Sequence, residues 1–588
     1  MNRRRIFFLL YLSFFSSSVF SFDFTIVEDN KIYSDKYWYK LLHYKNGKSE
    51  IDSQEFFLAK DGKTNPKAEL FATLDAIVDD NSTFCRFPSR VEWLYQKIPL
   101  LHKIKSYTSC PPLEKILKSY NAQSVVLVFP TAHINSPASM FGHSFLRIDS
   151  DNNLSLTSNA INYAAKTRES NGLIFAYQGL FGGYEGRYSI LPYYKKIKEY
   201  NHLERRDIWE YRLNLTPKEI KKLLTHLYEL KDLYADYYFF SENCSYNLLW
   251  LLEVARDDLK LVDNFSYKAI PIDTIRKVYE AGLIESENFR ASKTKEIEAI
   301  FEMIDEQREV LDIIDSKRYE DLEKLKNSDK VYGYDLAIEL LRLKRSKRNI
   351  DKKSYVKDLL SLLRGRSKLE KKKAYKIKKP PNPLLGHKSE RLSIALDNKD
   401  TFSFGYKPAF HDFYDVDYGF IGGSYINFFH LQLKKEKKEK LKLEKFDLVN
   451  IRSLSIRDQI FKPLSWGVSF GLDDFRDSIH GLLNLEVGLS YAIESFYTFF
   501  MLKSDLYMRK KAIVSIAPKV GIVKSFKNLK IGALSYKDFF SDGITKEHHE
   551  IFTTYQLNQN LALNLKYDID KIEQKEERKT KVSLYYYF

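Results

Sequence analysis

Cysteine is scarce, with three residues in 588, at positions 85, 110 and 244. Three cysteines cannot build a disulfide-dense scaffold, and no CxxC pair is present to form a zinc ribbon. No internal segment holds 18 uninterrupted apolar residues, which argues against helical membrane spans. The 23 glycines follow no period of three, so a collagen-like chain is excluded. Aromatic residues, by contrast, are abundant: 41 Tyr and 41 Phe in a chain that is 44% hydrophobic, too apolar for wholesale disorder. Lys plus Arg number 94 against 78 acidic residues, a net +16. At roughly 150 residues per domain the length allows about four domain-sized units.

Residues 1–21 read MNRRRIFFLLYLSFFSSSVFS. Arg3, Arg4 and Arg5 precede an apolar run from Ile6 to about Phe15, and Val19 and Ser21 suit a cleavage site before Phe22. This is the pattern of a secretory signal peptide, and the apolar run is short for a bilayer anchor. No cysteine follows the expected cut, so a lipid-modified N-terminus is not expected. Export permits disulfides, and Cys85 and Cys110 are the candidate pair.

Composition then predicts four regions. Residues 22–120 read as mainly helical, with Leu70, Leu74 and Ile77 at helical spacing. Residues 121–290 read as α plus β. Val125–Phe129 suits a short buried strand, Ser144–Ile148 and Leu154–Tyr163 suit two more, and helices are expected over Pro217–Leu230 and from Asn243 past Glu253. Residues 291–383 read as a charged helical linker. Its segment 351–379 carries 12 Lys or Arg against 3 acidic residues, a net +9, which suits a solvated helix or a basic collar near anionic lipid. An exported chain whose basic run carries no reading motif is not expected to bind nucleic acid.

Beyond Pro383 the period changes to two. Twelve strands are expected, at 388–396, 401–408, 419–434, 440–455, 464–472, 482–491, 495–507, 512–521, 528–536, 546–557, 561–570 and 580–588. Many have the 9–11 residues that cross a bilayer with tilt. Closing them into a barrel removes the exposed edges that an open sheet of this size would carry. Phe496, Phe499, Phe500, Tyr585 and Tyr587 are expected in the interfacial aromatic girdles. The terminal SLYYYF resembles the insertion signal of bacterial outer-membrane barrels.

Two residues carry the candidate chemistry. Cys244 lies at the expected start of a helix, where aligned N–H groups favour a thiolate. His143 follows Gly142 at the head of an expected buried strand, where an imidazole suits general-base action on a thiol. A third polar group should fix the ring. Asn162 is preferred, with Asn159 as the alternative, and their odd separation forbids both from facing one ring. Ser139 and Asn243 are candidates for loop support or an oxyanion donor. Phe175, Tyr177, Leu180, Phe181 and Tyr184 are candidates to line an acyl groove. No metal or other cofactor is expected, because His133 and His143 lie ten apart with no accompanying ligand motif. No GxSxG elbow supports a serine hydrolase.

The segments Cys85–Arg90, Ser136–Arg147, Asn162–Ala165, Gly179–Gly183, Arg206–Tyr211 and Phe240–Ser245 resemble the periplasmic domain of the Lnb-type bacterial lipoprotein N-acyltransferases, over about residues 60–290. That domain is similar in turn to the circularly permuted NlpC/P60 papain-like superfamily, and the lecithin:retinol acyltransferase group shares the strand-to-helix order and an Asn-Cys dipeptide. The resemblance implies Cys244 as nucleophile, His143 as base, and Asn162 or Asn159 as the orienting residue. It also implies a phospholipid acyl donor and a lipoprotein N-terminus as a possible acceptor. One departure stands out: the acyltransferases that give the group its name carry helical membrane segments, whereas this sequence carries a barrel pattern. The expected architecture is therefore a permuted papain-like domain, a charged helical linker and an antiparallel transmembrane β-barrel of about 12 strands at residues 384–588, held in outer-membrane lipid with residues 22–383 in the periplasm. The competing classes are a peptidoglycan peptidase or amidase of the NlpC/P60 type and a non-enzymatic envelope binding or assembly protein.

Overall fold

In the computed structural model residues 25–132, 140–150, 155–167, 169, 172–370, 375–493 and 496–588 are described, so the expected signal peptide lies outside the described residues. The chain forms two compact units, one comprising residues up to 119 with 221–235, the other 120–220 with 236–588.

The first unit is helical. Helix α1 (Pro66–Asp79) and helix α2 (Pro88–Lys97) both open on proline, whose missing N–H is not needed in the first turn. Asn65 caps α1 by accepting the Ala68 amide, and the predicted stripe of Leu70, Leu74 and Ile77 is fully buried. Trp38 and Trp93 stack at 5.5 Å. Arg90, completely buried, donates to Glu69 at 2.6 Å, and Glu69 also accepts the Leu58 and Ala59 amides. The Cys85–Arg90 segment is thus a structural clamp. Cys85 and Cys110 form a disulfide with Cα atoms 5.1 Å apart.

The second unit holds a seven-stranded sheet: β1 (Ala122–Pro130), β2 (Phe145–Ser150), β3 (Asn159–Ala165), β4 (Tyr184–Pro192), β5 (Ile208–Leu213), β6 (Ala235–Tyr237) and β7 (Ile284–Arg290), in the order β6-β4-β3-β2-β1-β5-β7. Val126, Val128, Phe145, Ala160 and Ile208 supply a core on which Tyr193 and Tyr200 pack. Helix α3 (Gly172–Leu180) follows β3. Helix α4 (Cys244–Ala255) is buried at every residue and packs on β2 and β3, which explains its nearly unbroken apolar sequence. Helix α5 (Pro271–Glu280) follows it.

The stretch expected as a linker is instead a packed helical bundle. Helices α6 (Lys293–Phe301), α7 (Gln307–Asp315), α8 (Asn327–Ser346) and α9 (Lys352–Ser367) enclose Ile297, Ile300, Val310, Ile313, Leu336 and Leu362. The high charge occupies the outer faces, and each buried aliphatic contributes about 1.5–3 kcal/mol, so the stripes bind one another rather than leaving a solvated rod.

The barrel follows. Its strands are β8 (Arg391–Asp397), β9 (Phe402–Lys407, continued by Ala409–His411), β10 (Ser424–Lys435), β11 (Lys442–Ser453), β12 (Ser465–Phe475), β13 (Ser478–Ile493), β14 (Phe496–Met508), β15 (Ile513–Ser525), β16 (Leu529–Phe540), β17 (Thr545–Asn558), β18 (Leu561–Ile572) and β19 (Lys575–Tyr587). Each pairs with its neighbour, and β8 pairs with both β9 and β19, so the sheet closes on itself with 12 strands. Every expected strand is present. The alternation is sharp on β14, where Phe500 and Leu502 face out and Phe499, Met501, Lys503 and Asp505 face in. Leu485, Val487, Ile516, Ile551 and Leu565 extend the outward apolar band that lipid requires. Phe499, Tyr585 and Tyr587, expected in the girdles, are buried, because the two-residue period carries them inward while Phe500 and Tyr586 face out. Among the described residues no helix is long and apolar enough to cross a membrane.

The lumen is filled. Between β9 and β10 the segment 412–418 crosses to the opposite wall. Phe413 meets Phe552 at 5.3 Å, Tyr414 donates to Glu550 at 3.0 Å, and Lys530 donates to the Asp415 carbonyl at 2.9 Å and to the Asp417 carboxylate at 2.8 Å. Asp415 is held at the near wall by Arg391, Lys407 and Tyr587. A cavity of about 320 Å³ remains, lined by groups such as His430, Lys445 and Arg452.

Two outcomes follow. Removing the disulfide by Cys85→Ala with Cys110→Ala should cost the first unit about 3 kcal/mol, since it closes a loop of about 25 residues; denaturant unfolding followed by Trp38 and Trp93 fluorescence reads this directly. The full chain in planar bilayers should show no steady ion current, and replacing 412–418 by a glycine-serine linker should open one.

Candidate active site

The cysteine is placed by its neighbour. Asn243 caps α4: its Oδ1 accepts the Ser245 and Tyr246 amides at 3.1 and 3.3 Å, and its Nδ2 donates to the Phe239 and Ala269 carbonyls at 3.0 and 2.6 Å. One side chain thereby fixes the helix start and both approaching loops, with Cys244 as the first helical residue. The histidine is placed by the adjoining strands. The His143 amide donates to the Pro130 carbonyl at 3.2 Å, and its Nε2 meets Asn162 Oδ1 at 2.8 Å. An amide oxygen only accepts, so Nε2 carries the proton and Nδ1 holds the lone pair of the neutral ring. Tyr200 lies against the imidazole with ring centres 5.5 Å apart.

The two halves meet at the residue before β2. The Ser144 amide, next in the chain to His143, and the Tyr237 hydroxyl lie close enough to the Cys244 sulfur to favour its anion. The Cys244 amide in turn donates to Tyr237 Oη at 3.3 Å. All three central residues are buried: Cys244 is 3% exposed, His143 7% and Asn162 3%. Desolvation dominates the electrostatics. It pushes the Cys244 thiol above its ordinary value despite the opposing Ser144, Tyr237 and Ser245 groups, so the helix start does not prevail as the sequence suggested. It pushes His143 down to about 3 against the Asn162 hydrogen bond, with Lys196 and Arg206 adding to the depression. The resting site therefore holds a neutral thiol and a neutral imidazole.

The other candidates separate. Asn159 pairs with Ile148 in the β2–β3 ladder, five residues along from His143, and does not approach the ring. Tyr184 is in the core with Tyr163 and Tyr237, so it lines no groove. Tyr177 and Phe181 are 65% and 68% exposed and Leu180 also lies at the surface, so these residues form an apolar patch rather than a groove. Ser139 and the Phe175 side chain lie outside what is described. Tyr237, Tyr200 and Arg206 were not anticipated as neighbours of the pair. They come from β6 and the segment before β5, and nothing local in the sequence ties them to Cys244.

Among the described residues, two groups have metal-ligand chemistry within 4.8 Å: His387, His411 and Asp415, and His548, Glu550 and Asp568. Arg391 and Lys407 pair with Asp415, and Lys566 pairs with Glu550 and Asp568, so protein cations already occupy these carboxylates.

Comparison with known proteins agrees with this layout. Residues 113–281 match the family model of the Lnb N-terminal periplasmic domain. Residues 30–97 and 380–587 each match a domain of unknown function. No curated protein matches the chain. Among solved structures, the barrel region is similar to the KdgM porin in complex with disordered oligogalacturonate, at 12% identity over 34% of this chain and 99% of that one with a TM-score of 0.23. It is also similar to the COG4313 outer membrane channel from Pseudomonas putida F1, at 9% identity over 35% of this chain and 97% of that one with a TM-score of 0.25.

The buried thiol gives a direct check. A thiolate ultraviolet band, taken as wild type minus Cys244→Ser, should be absent at pH 7 and grow in only above pH 9, the ordinary thiol value being raised here; a band already developed at pH 7 would contradict this site. The closed apolar-faced barrel makes the chain an outer-membrane envelope protein, and its residues 113–281 match the Lnb N-terminal periplasmic domain.

Proposed function

We propose that residues 121–290 form a periplasmic thiol acyltransferase or acyl hydrolase acting on phospholipid acyl groups, with Cys244 as nucleophile, His143 as base and Asn162 as its positioning residue. The observation that carries this reading is the junction of α4 and β2: the sulfur sits beside the Ser144 amide, one residue from an imidazole whose Nε2 is committed to Asn162. That commitment leaves Nδ1 as the proton acceptor.

The step is written as follows. As Cys244 attacks an ester carbonyl, the thiol proton passes to His143 Nδ1. Direct transfer in the transition state suits a pair that is neutral at rest. The C–O bond to the glycerol oxygen then breaks, and the imidazolium returns the proton to that oxygen, releasing lysophospholipid. The acyl thioester passes to an amine, such as a lipoprotein N-terminus, or to water, and the thiol is restored. The Cys244 amide donates to Tyr237 Oη, so the Tyr237 hydroxyl, beside the same sulfur, is assigned as the oxyanion donor.

Mass spectrometry of the full chain after incubation with phospholipid should find an acyl mass on Cys244 that is missing in Cys244→Ser. Asn162→Ala should slow its formation by about tenfold to a hundredfold, by releasing the ring from its productive orientation. No adduct, with cleavage of a muropeptide instead, would replace this reading with the peptidase.

A further inference from the structure

The candidate site is joined to the outer wall of the barrel. Phe141 lies two residues before His143 and Phe240 four before Cys244. Phe141 meets Phe428 at 5.5 Å and Phe410 at 5.6 Å, while Phe240 meets Phe428 at 5.2 Å and Phe429 at 5.8 Å. On β10 the residues Tyr425, Asn427, His430 and Gln432 line the lumen cavity. Phe428 therefore points outward by alternation. Phe429 is 40% exposed, with a positive φ of 52° that lets it share the outward side, where the rest of the barrel presents its lipid-facing band. The segments bearing the sulfur and the imidazole thus dock on the membrane side of the wall, not on the mouth of the lumen.

A second apolar surface continues from this seam. The Phe239 amide donates to the Gly179 carbonyl at 2.8 Å. A Cβ at Gly179 would meet the Phe239 ring at 2.2 Å, and one at Gly182 the Tyr238 ring at 2.4 Å, so only glycine lets α3 seat this closely. The end of α3 therefore rests on the residues leading into Phe240. At that end Tyr177 and Phe181 pack ring against ring at 4.8 Å while remaining largely exposed, with Leu180 beside them. Large aromatics left at the surface and contiguous with a lipid-facing wall have the composition of a membrane-interface anchor.

We infer that the end of α3, through Tyr177, Leu180 and Phe181, rests in the periplasmic leaflet of the membrane that the barrel spans, and that a phospholipid acyl chain reaches Cys244 sideways from that leaflet along the Phe429–Phe240 seam. The occupant is the bilayer itself, because the patch is continuous with a surface already in lipid. The use made of the lipid rests on the acyl-transfer reading; the contact does not. The arrangement assigns the barrel a second task beyond anchorage, which is to set the site at leaflet height.

The test uses the full chain with Cys244→Ser, which leaves only the disulfide cysteines, reconstituted in vesicles of phosphatidylethanolamine and phosphatidylglycerol. Nitroxide labels are placed singly at Tyr177→Cys and Phe181→Cys, with Leu502→Cys on the outward barrel face as the lipid reference and Glu320→Cys on the charged bundle as the water reference. The expected result is a shift of the oxygen-to-nickel accessibility ratio at 177 and 181 toward that of 502. A ratio at both positions matching 320 would overturn the inference, as would shielding from both reagents, which marks coverage by protein. Restored heat-dependent migration of the barrel certifies folding of each labelled chain. Since Cys244 is replaced throughout, failure of the contact is read apart from failure of the chemistry, which the acyl adduct reports separately in wild type.

Discussion

One side chain, Asn243, sets the geometry on which the rest depends. Its Oδ1 accepts the Ser245 and Tyr246 amides to cap α4, and its Nδ2 donates to the Phe239 and Ala269 carbonyls to tie down those loops. The first residue of the helix is then Cys244, and the helix lies across β2 and β3. Asn162 lies on β3 and His143 two residues before β2, and their side chains meet at 2.8 Å. The tyrosine and serine groups around the sulfur are consequences of this placement. The cost is desolvation, which raises the Cys244 thiol and lowers the His143 imidazole; on the proposed mechanism the proton moves only when a substrate is in place.

The barrel was legible because its signal is simple. Two-residue alternation specifies a strand buried on one side and lipid-exposed on the other, and twelve such runs were countable from the sequence. Its interior was not legible. The plug at 412–418 has no periodic pattern, and its anchors, Lys530 and Glu550, lie more than a hundred residues away. The girdle was misassigned at Phe499, Tyr585 and Tyr587 because aromatic content does not reveal a side chain's parity.

In the periplasmic region, the local features were readable and the convergent ones were not. Cys244 at a helix start follows from the helical pattern after it, and strand parity excludes Asn162 and Asn159 from facing one ring together without choosing between them. The exposed patch at Tyr177 and Phe181 read as a groove, since sequence does not distinguish a residue facing a cavity from one at the open surface. The charged segment read as a linker because only one of its apolar stripes was weighed, whereas the stripes of four helices pack together.

On the proposed function, the domain seated on the outer wall of the plugged barrel takes its substrate from the membrane, and the barrel supplies the position. The most direct measurement is pre-steady-state release of lysophospholipid by the full chain with the acceptor amine withheld. The account predicts a burst of about one equivalent per chain, then a slower phase limited by thioester turnover, with both phases lost in Cys244→Ser. Lysophospholipid release that persists in Cys244→Ser would contradict it.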